Sequence, residues 1–127
     1  MNLEIRKYPP ERDYEILSEI IKAEGEEWAP YLDQKYRTAL RNSITYVATL
    51  EDSICGYARS MEDHGYYIWI LDLLVAKKFR GNAIGRKLME TLVNEYPDYE
   101  VYVMSDVDDY YQKLGYKNEG TIFCVKK

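Results

Sequence analysis

The chain has little cysteine, a single histidine and no long apolar run. Its two cysteines, Cys55 and Cys124, cannot form a disulfide framework; they fit a reducing compartment and read as small strand residues. His64 is the only histidine and no Cys-x-x-Cys pair occurs. That excludes a histidine-rich metal centre, and a Ser-His-Asp triad around any other histidine, so no metal is expected. The first 25 residues carry Glu4, Glu11, Asp13 and Glu15 and no long apolar stretch, so no signal peptide is expected. The longest apolar run, residues 66–76, is broken by Asp72 and too short to cross a bilayer. No repeat, low-complexity tract or Pro/Gly/Ser linker divides the chain, which reads as one domain, 1–127. The expected compartment is the cytoplasm, with no membrane partner.

What is present is an ordinary globular composition, 46% hydrophobic and 31% charged over 127 residues. A chain of that length buries roughly two thirds of its unfolded surface, enough for a core without staples. The net charge of -5 argues against nucleic acid as a partner. The charge is unevenly spread. Residues 77–87 hold five of the seventeen basic side chains and no acidic one, while the other 116 residues carry a net charge of -10. One compact basic turn on an acidic body suggests a small anionic ligand. The plain alternative is a solvated turn after a strand.

Alternation predicts a first strand over residues 2–7, ended by Pro9 and Pro10. Tyr14, Leu17 and Ile21 predict a helix over 13–24 with Gly25 as its stop, and a weaker helix is predicted over 31–42. Strands are predicted over 44–50 and 54–60 around the turn Glu51-Asp52-Ser53, and a central strand over 66–75. Ile84, Leu88, Leu92 and Tyr96 predict a long helix stopped by Pro97. A strand over 99–104, a short helix capped by Asp106 and ended by Gly115, and a last strand over 121–125 complete the pattern. This order implies an α+β (mixed α/β) fold with a central mixed sheet and helices on both faces.

The segment Leu73-Leu74-Val75-Ala76-Lys77-Lys78-Phe79-Arg80-Gly81-Asn82-Ala83-Ile84-Gly85-Arg86 carries the chemistry. A buried strand runs into a basic, small-residue turn that opens a helix. Such a helix start leaves about four backbone N–H groups unpaired at the positive end of the dipole. Gly81, Ala83 and Gly85 would let a ligand approach the backbone, and Arg80 and Arg86 can bind phosphate oxygens. The turn is a pyrophosphate cradle in physical terms. No GK[ST] follows it, and the third glycine of the dinucleotide fingerprint is missing.

With this motif in view, the chain resembles the GCN5-related N-acetyltransferase (GNAT) superfamily. The family's Arg/Gln-x-x-Gly-x-Gly/Ala signature reads here Arg80-Gly81-Asn82-Ala83-Ile84-Gly85. Downstream, Asp109-Tyr110-Tyr111-Gln112-Lys113-Leu114-Gly115-Tyr116 resembles the family's Phe-Tyr-Glu-Lys-x-Gly-Phe segment. The resemblance covers the whole chain and implies a GNAT-like acyl-CoA N-acyltransferase fold of about six strands and four helices. It further implies an acetyl-coenzyme-A-dependent N-acetyltransferase in which an amine attacks the thioester directly within a ternary complex. The pantetheine would run along the backbone of Leu73, Leu74 and Val75, where an N–H can hold the oxyanion. The diphosphate would sit on Arg80, Gly81, Asn82, Ala83, Ile84, Gly85 and Arg86. Tyr111 would give a proton to the leaving thiolate, since a phenol of pKa about 10 stays protonated at neutral pH.

Asp72, the one charge in the central strand, is the candidate base; the alternative is a carboxylate satisfied by Arg59 or neighbouring backbone. Glu62 and His64 are weaker candidates. The acceptor, an amine of a small molecule or peptide, would meet the turn between the first two helices. There Glu24, Glu26 and Glu27 lie near Trp28 and Tyr31, with Glu27, Trp28 and Tyr31 the candidate contacts. Two positions depart from the family pattern. Ala83 replaces the first glycine, tolerable where φ is negative, and no asparagine precedes the last helix, where Met104-Ser105-Asp106 stands. These departures keep a second reading open, a non-catalytic acyl-CoA-binding module or regulatory subunit of the same fold. The sequence is compatible with a monomer or a homodimer.

Overall fold

A computed structural model describes residues 2–105 and 107–127 of the chain. The expected cap at Asp106 lies outside the described residues. The sheet begins with β1 (Leu3–Lys7), β2 (Ile44–Leu50), β3 (Ser53–Glu62) and β4 (Tyr67–Val75), each antiparallel to the next. β5 (Glu100–Val103) then joins β4 in parallel, so the order in space is the order in sequence. The span from Ile44 to Val75 is thus a meander, whereas β4 and β5 need a crossover, which α3 (Ile84–Glu95) provides.

Local chemistry sets the helix boundaries. α1 (Pro10–Glu24) starts three residues earlier than periodicity implied because Pro10 takes the first-turn position, where its missing N–H costs nothing. The helix expected over 31–42 starts later. Residues Glu26–Tyr31 form a 3-10 turn around Pro30. Asp33 then caps α2 (Gln34–Arg41), its carboxylate accepting the Tyr36 N–H at 3.0 Å. A short helix, α4 (Asp108–Lys113), follows β5 and ends at Gly115, which adopts a left-handed φ of 86°.

The sheet separates two apolar layers. On one face, Leu88, Met89 and Leu92 of α3 pack with Ala58, Ile68 and Ile70. On the other, Leu17 and Ile21 of α1 and Leu40 of α2 pack with Val47, Tyr57 and Leu74. Fully burying such a leucine contributes about 2 kcal/mol. Helices therefore cover both faces, as expected.

Among the described residues the sheet has five strands rather than about six. Residues 121–125 join no strand among the described residues and are exposed, with Phe123 at 83% and Val125 at 99%. Their alternation makes a strand possible but supplies no partner, and a lone segment cannot offset the cost of ordering its backbone.

Candidate functional site

The site forms where two strands part. β4 and β5 are paired from Tyr67 and Glu100 to Ile70 and Val103, and the Met104 N–H closes the ladder on the Ile70 carbonyl at 3.0 Å. Beyond that point β4 runs on to Val75 alongside β3 only. Arg59 faces Asp72 and Ser60 faces Ile70, so Leu71 is the extra residue of a bulge on β4. Bulges bend the strand and re-aim its side chains. Here the bulge places Asp72 and Leu74 toward the α1–α2 face and leaves Leu73 and Val75 against the α3 layer.

A cavity of about 220 Å³ occupies the gap. Leu71, Asp72 and Leu73 form its β4 wall, Met104 and Ser105 the opposite wall, and Trp28, Tyr31 and Tyr111 its mouth. Three candidate groups that lie far apart in sequence thus meet: Asp72, Tyr111 and the Trp28–Tyr31 pair, whose rings are 5.5 Å apart. Tyr31 continues the aromatic wall to Tyr36 at 4.7 Å. Tyr111 packs edge-on against Tyr110 and stacks on Tyr116. Glu27 is exposed on the 3-10 turn and does not line the cavity.

Asp72 belongs to a buried polar network. Arg59 Nε donates to its Oδ2 in an ion pair, and the Tyr36 hydroxyl donates to the same oxygen at 2.7 Å. Tyr36 and Tyr57 share a second hydrogen bond at 2.7 Å. Burial pushes the Tyr36 phenol far up, reinforced by the neighbouring Tyr57 and Asp72, so it acts as a donor. Burial works against the Arg59 charge, and the hydrogen bond to Asp72 more than restores it. Of the two roles open to Asp72 in the sequence, the pairing with Arg59 is therefore present, and the same carboxylate also lines the cavity. The sequence pointed to Arg59 but not to Tyr36 or Tyr57, which arrive by packing across 36 and 15 residues.

The basic turn follows β4 directly. Lys77–Phe79 form one 3-10 turn, and Arg80 leads into Gly81, Asn82 and the start of α3. Gly81 has φ 89° and Ala83 has φ 59°, so two left-handed residues curl the backbone, a shape that turns N–H groups toward an anion. The negative φ that would make alanine harmless at position 83 is not adopted. Among the described residues no side chain caps α3, which leaves the N–H groups of its first turn to an outside acceptor. Gly81, Asn82, Ala83 and Arg86 are exposed, whereas Ile84 is anchored in the core. Arg86 pairs with Glu90 at 3.1 Å. These features fit a diphosphate.

Gly85 also serves a packing purpose. A Cβ there would stand 2.6 Å from the Tyr110 hydroxyl and 3.7 Å from Leu73. The glycine makes room for α4 to dock on the start of α3. That docking holds Tyr111 over the cavity.

This geometry can be compared with known proteins. The chain is 32% identical over 72 residues to the chloroplastic GCN5-related N-acetyltransferase 2 of Arabidopsis thaliana, a stretch covering 53% of this chain and 28% of that protein. It is 24% identical over 99 residues to an uncharacterised N-acetyltransferase of Pyropia yezoensis, covering 70% of this chain and 57% of the relative. The chain therefore spans less than two thirds of the length of these relatives. Among solved structures, a GNAT-family acetyltransferase of Streptococcus pneumoniae superposes with a TM-score of 0.76 at 19% identity, covering 99% of this chain and 100% of the other. An aminoglycoside acetyltransferase from an uncultured soil metagenomic sample gives 0.75 at 23% identity, covering 100% and 99%. These likenesses establish the fold. The family model for the acetyltransferase (GNAT) domain matches residues 41–118, from the end of α2 through the parted strands and the basic turn to the segment after Tyr111. On that match the chain belongs to the GNAT acetyltransferase family.

Proposed function

We propose that the chain transfers an acetyl group from acetyl-coenzyme A to an amine of a small molecule or peptide, by direct attack within a ternary complex. The observation that carries this reading is the meeting of Asp72, Tyr111 and the unpaired end of β4 in one cavity beside an uncapped, cationic helix start. The residues present suit the coenzyme, which would supply the activated thioester. The amides of residues 81–86 and the guanidinium groups of Arg80 and Arg86 hold the diphosphate. The β4 backbone of Leu73–Val75, with no strand on its β5 side, offers N–H and C=O groups to an extended ligand and an N–H for a developing oxyanion.

Tyr111 holds the proton that the departing thiolate takes up. Asp72 accepts the proton released by the amine, directly or through a bound water, with Tyr36 and Arg59 fixing its orientation. Trp28 and Tyr31 wall the acceptor's approach, and Glu27 lies outside the cavity as a long-range negative charge.

Release of free thiol from acetyl-coenzyme A across a panel of amines tests the proposal, with Tyr111→Phe as the control. Turnover that falls in the variant while coenzyme affinity holds supports it. A second reading has one observation in its favour, the left-handed alanine in the phosphate turn, which suits a non-catalytic acyl-CoA-binding module. Binding of the coenzyme without turnover on any amine would select that reading.

A further inference from the structure

Glu24 closes α1, on the far side of the sheet from α3, yet its carboxylate reaches the basic turn. Arg80 Nη2 donates to Glu24 Oε1 at 2.6 Å, and Arg80 Nε donates to the Val75 carbonyl at 3.0 Å. Both contacts use the side edge of the guanidinium. Arginine has five N–H donors, so about three remain, and they include the end-on fork formed by Nη1 and Nη2. Among the described residues nothing bonds to that fork. An end-on fork is the geometry that takes two oxygens of a phosphate. A long side chain that is half-exposed would otherwise sample many rotamers, and here two acceptors hold it in one.

The same carboxylate sits at a junction. Glu24 directly precedes Gly25, whose φ of 120° turns the chain into the 3-10 segment Glu26–Tyr31. That segment carries Trp28 and Tyr31 into the cavity. Beyond its ends it has no buried residue of its own to anchor it.

We infer that Glu24 is a positioning residue: it presents the Arg80 fork to the coenzyme diphosphate and ties the diphosphate cradle to the aromatic wall of the acceptor cavity. The inference rests on the reading above that Arg80 meets the diphosphate. Its opposite is also concrete. A carboxylate 2.6 Å from the arginine could oppose an incoming anion, and removing it would then tighten binding.

Calorimetric titration of coenzyme A into the wild-type chain, Glu24→Ala, Glu24→Gln, Arg80→Ala and the Glu24→Ala/Arg80→Ala double variant separates these cases. Glu24→Ala should weaken coenzyme A binding about tenfold, the scale of one charge-assisted hydrogen bond. Glu24→Gln, which still offers an oxygen to Nη2, should recover part of the loss. In the Arg80→Ala background the Glu24→Ala step should cost nothing further, a coupling that a merely structural role would not produce. Hydrogen exchange of residues 25–31 should slow on adding coenzyme A to the wild-type chain and stay unchanged in Glu24→Ala. Unchanged or tighter binding by Glu24→Ala, while Arg80→Ala weakens it, overturns the inference and leaves the coenzyme reading standing. Absence of binding to the wild-type chain overturns the coenzyme reading and this inference with it.

Discussion

Replacing Ala83 by glycine should stabilise the chain, although the substitution removes a methyl group and loosens the unfolded state. Ala83 caps α3 with φ 59° and ψ 25°, a left-handed conformation. For an L-residue with a Cβ this costs roughly 1–2 kcal/mol, and glycine escapes it. Against that gain, glycine's extra freedom in the unfolded chain takes back about 0.4–1 kcal/mol. The methyl group is exposed, so no burial is lost. The net expectation is about 1 kcal/mol in favour of glycine, a rise in Tm of roughly 3–5 °C for a domain of this size. Removing the methyl also brings the turn's backbone closer to an anion, so the further rise in Tm on adding coenzyme A should be larger in Ala83→Gly than in the wild-type chain. Scanning fluorimetry with and without coenzyme A reads both effects. A Tm that stays level or falls would refute the assignment of strain to residue 83.

Four other outcomes are expected. Gly85→Ala should lower turnover by displacing the Tyr110 hydroxyl, which stands 2.6 Å from the new Cβ, and Tyr110→Phe in the same chain should restore part of it. Asp72→Asn should cost about 3 kcal/mol in chemical denaturation by leaving the largely buried Arg59 guanidinium without its counter-charge. It should also lower kcat while coenzyme affinity holds; turnover that stays at the wild-type level would exclude Asp72 as the proton acceptor. Asp63 accepts the N–H groups of Tyr67, Tyr66 and Gly65, which hold its carboxyl below the ordinary value of 3.8. Its folded-state pKa is the lower one, so its contribution is complete above about pH 4 and fades as the pH falls through the folded value. The Tm curves of wild type and Asp63→Ala should therefore converge toward acid pH.

Much of this architecture was legible in the sequence because local signals and tertiary packing agree. The Leu88–Leu92 stripe is a helix facing the sheet, and the apolar stretch around Ile68 and Ile70 is a central strand. The basic turn stood out by its charge and small residues and Tyr111 by the family resemblance, and the parted strands bring Tyr111 and Asp72 to one cavity. What was not legible depended on partners distant in sequence. Residues 121–125 alternate as a strand should, but pairing is a property of two segments, and the described chain provides only one. The helix read over 31–42 was started too early because Asp33 was not weighed as its cap, and the 3-10 turn at Glu26–Tyr31 went unread. The packing role of Gly85 was not legible because the hydroxyl that needs its space lies 25 residues downstream. The positive φ of Ala83 has no local signature, since a residue with a Cβ ordinarily avoids it and only glycine announces it.

The 3-10 segment Glu26–Tyr31 has a consequence for how such a protein changes over time. It precedes the stretch that matches the family, contributes no fully buried side chain, and yet supplies two of the aromatic surfaces that line the cavity. Glu26, Glu27, Ala29 and Pro30 are exposed, so substitutions there leave both apolar layers intact, whereas Trp28 and Tyr31 also pack against the α1–α2 layer. Those four exposed positions can change at little cost to folding, which makes them the natural place to randomise when reshaping the surroundings of the cavity.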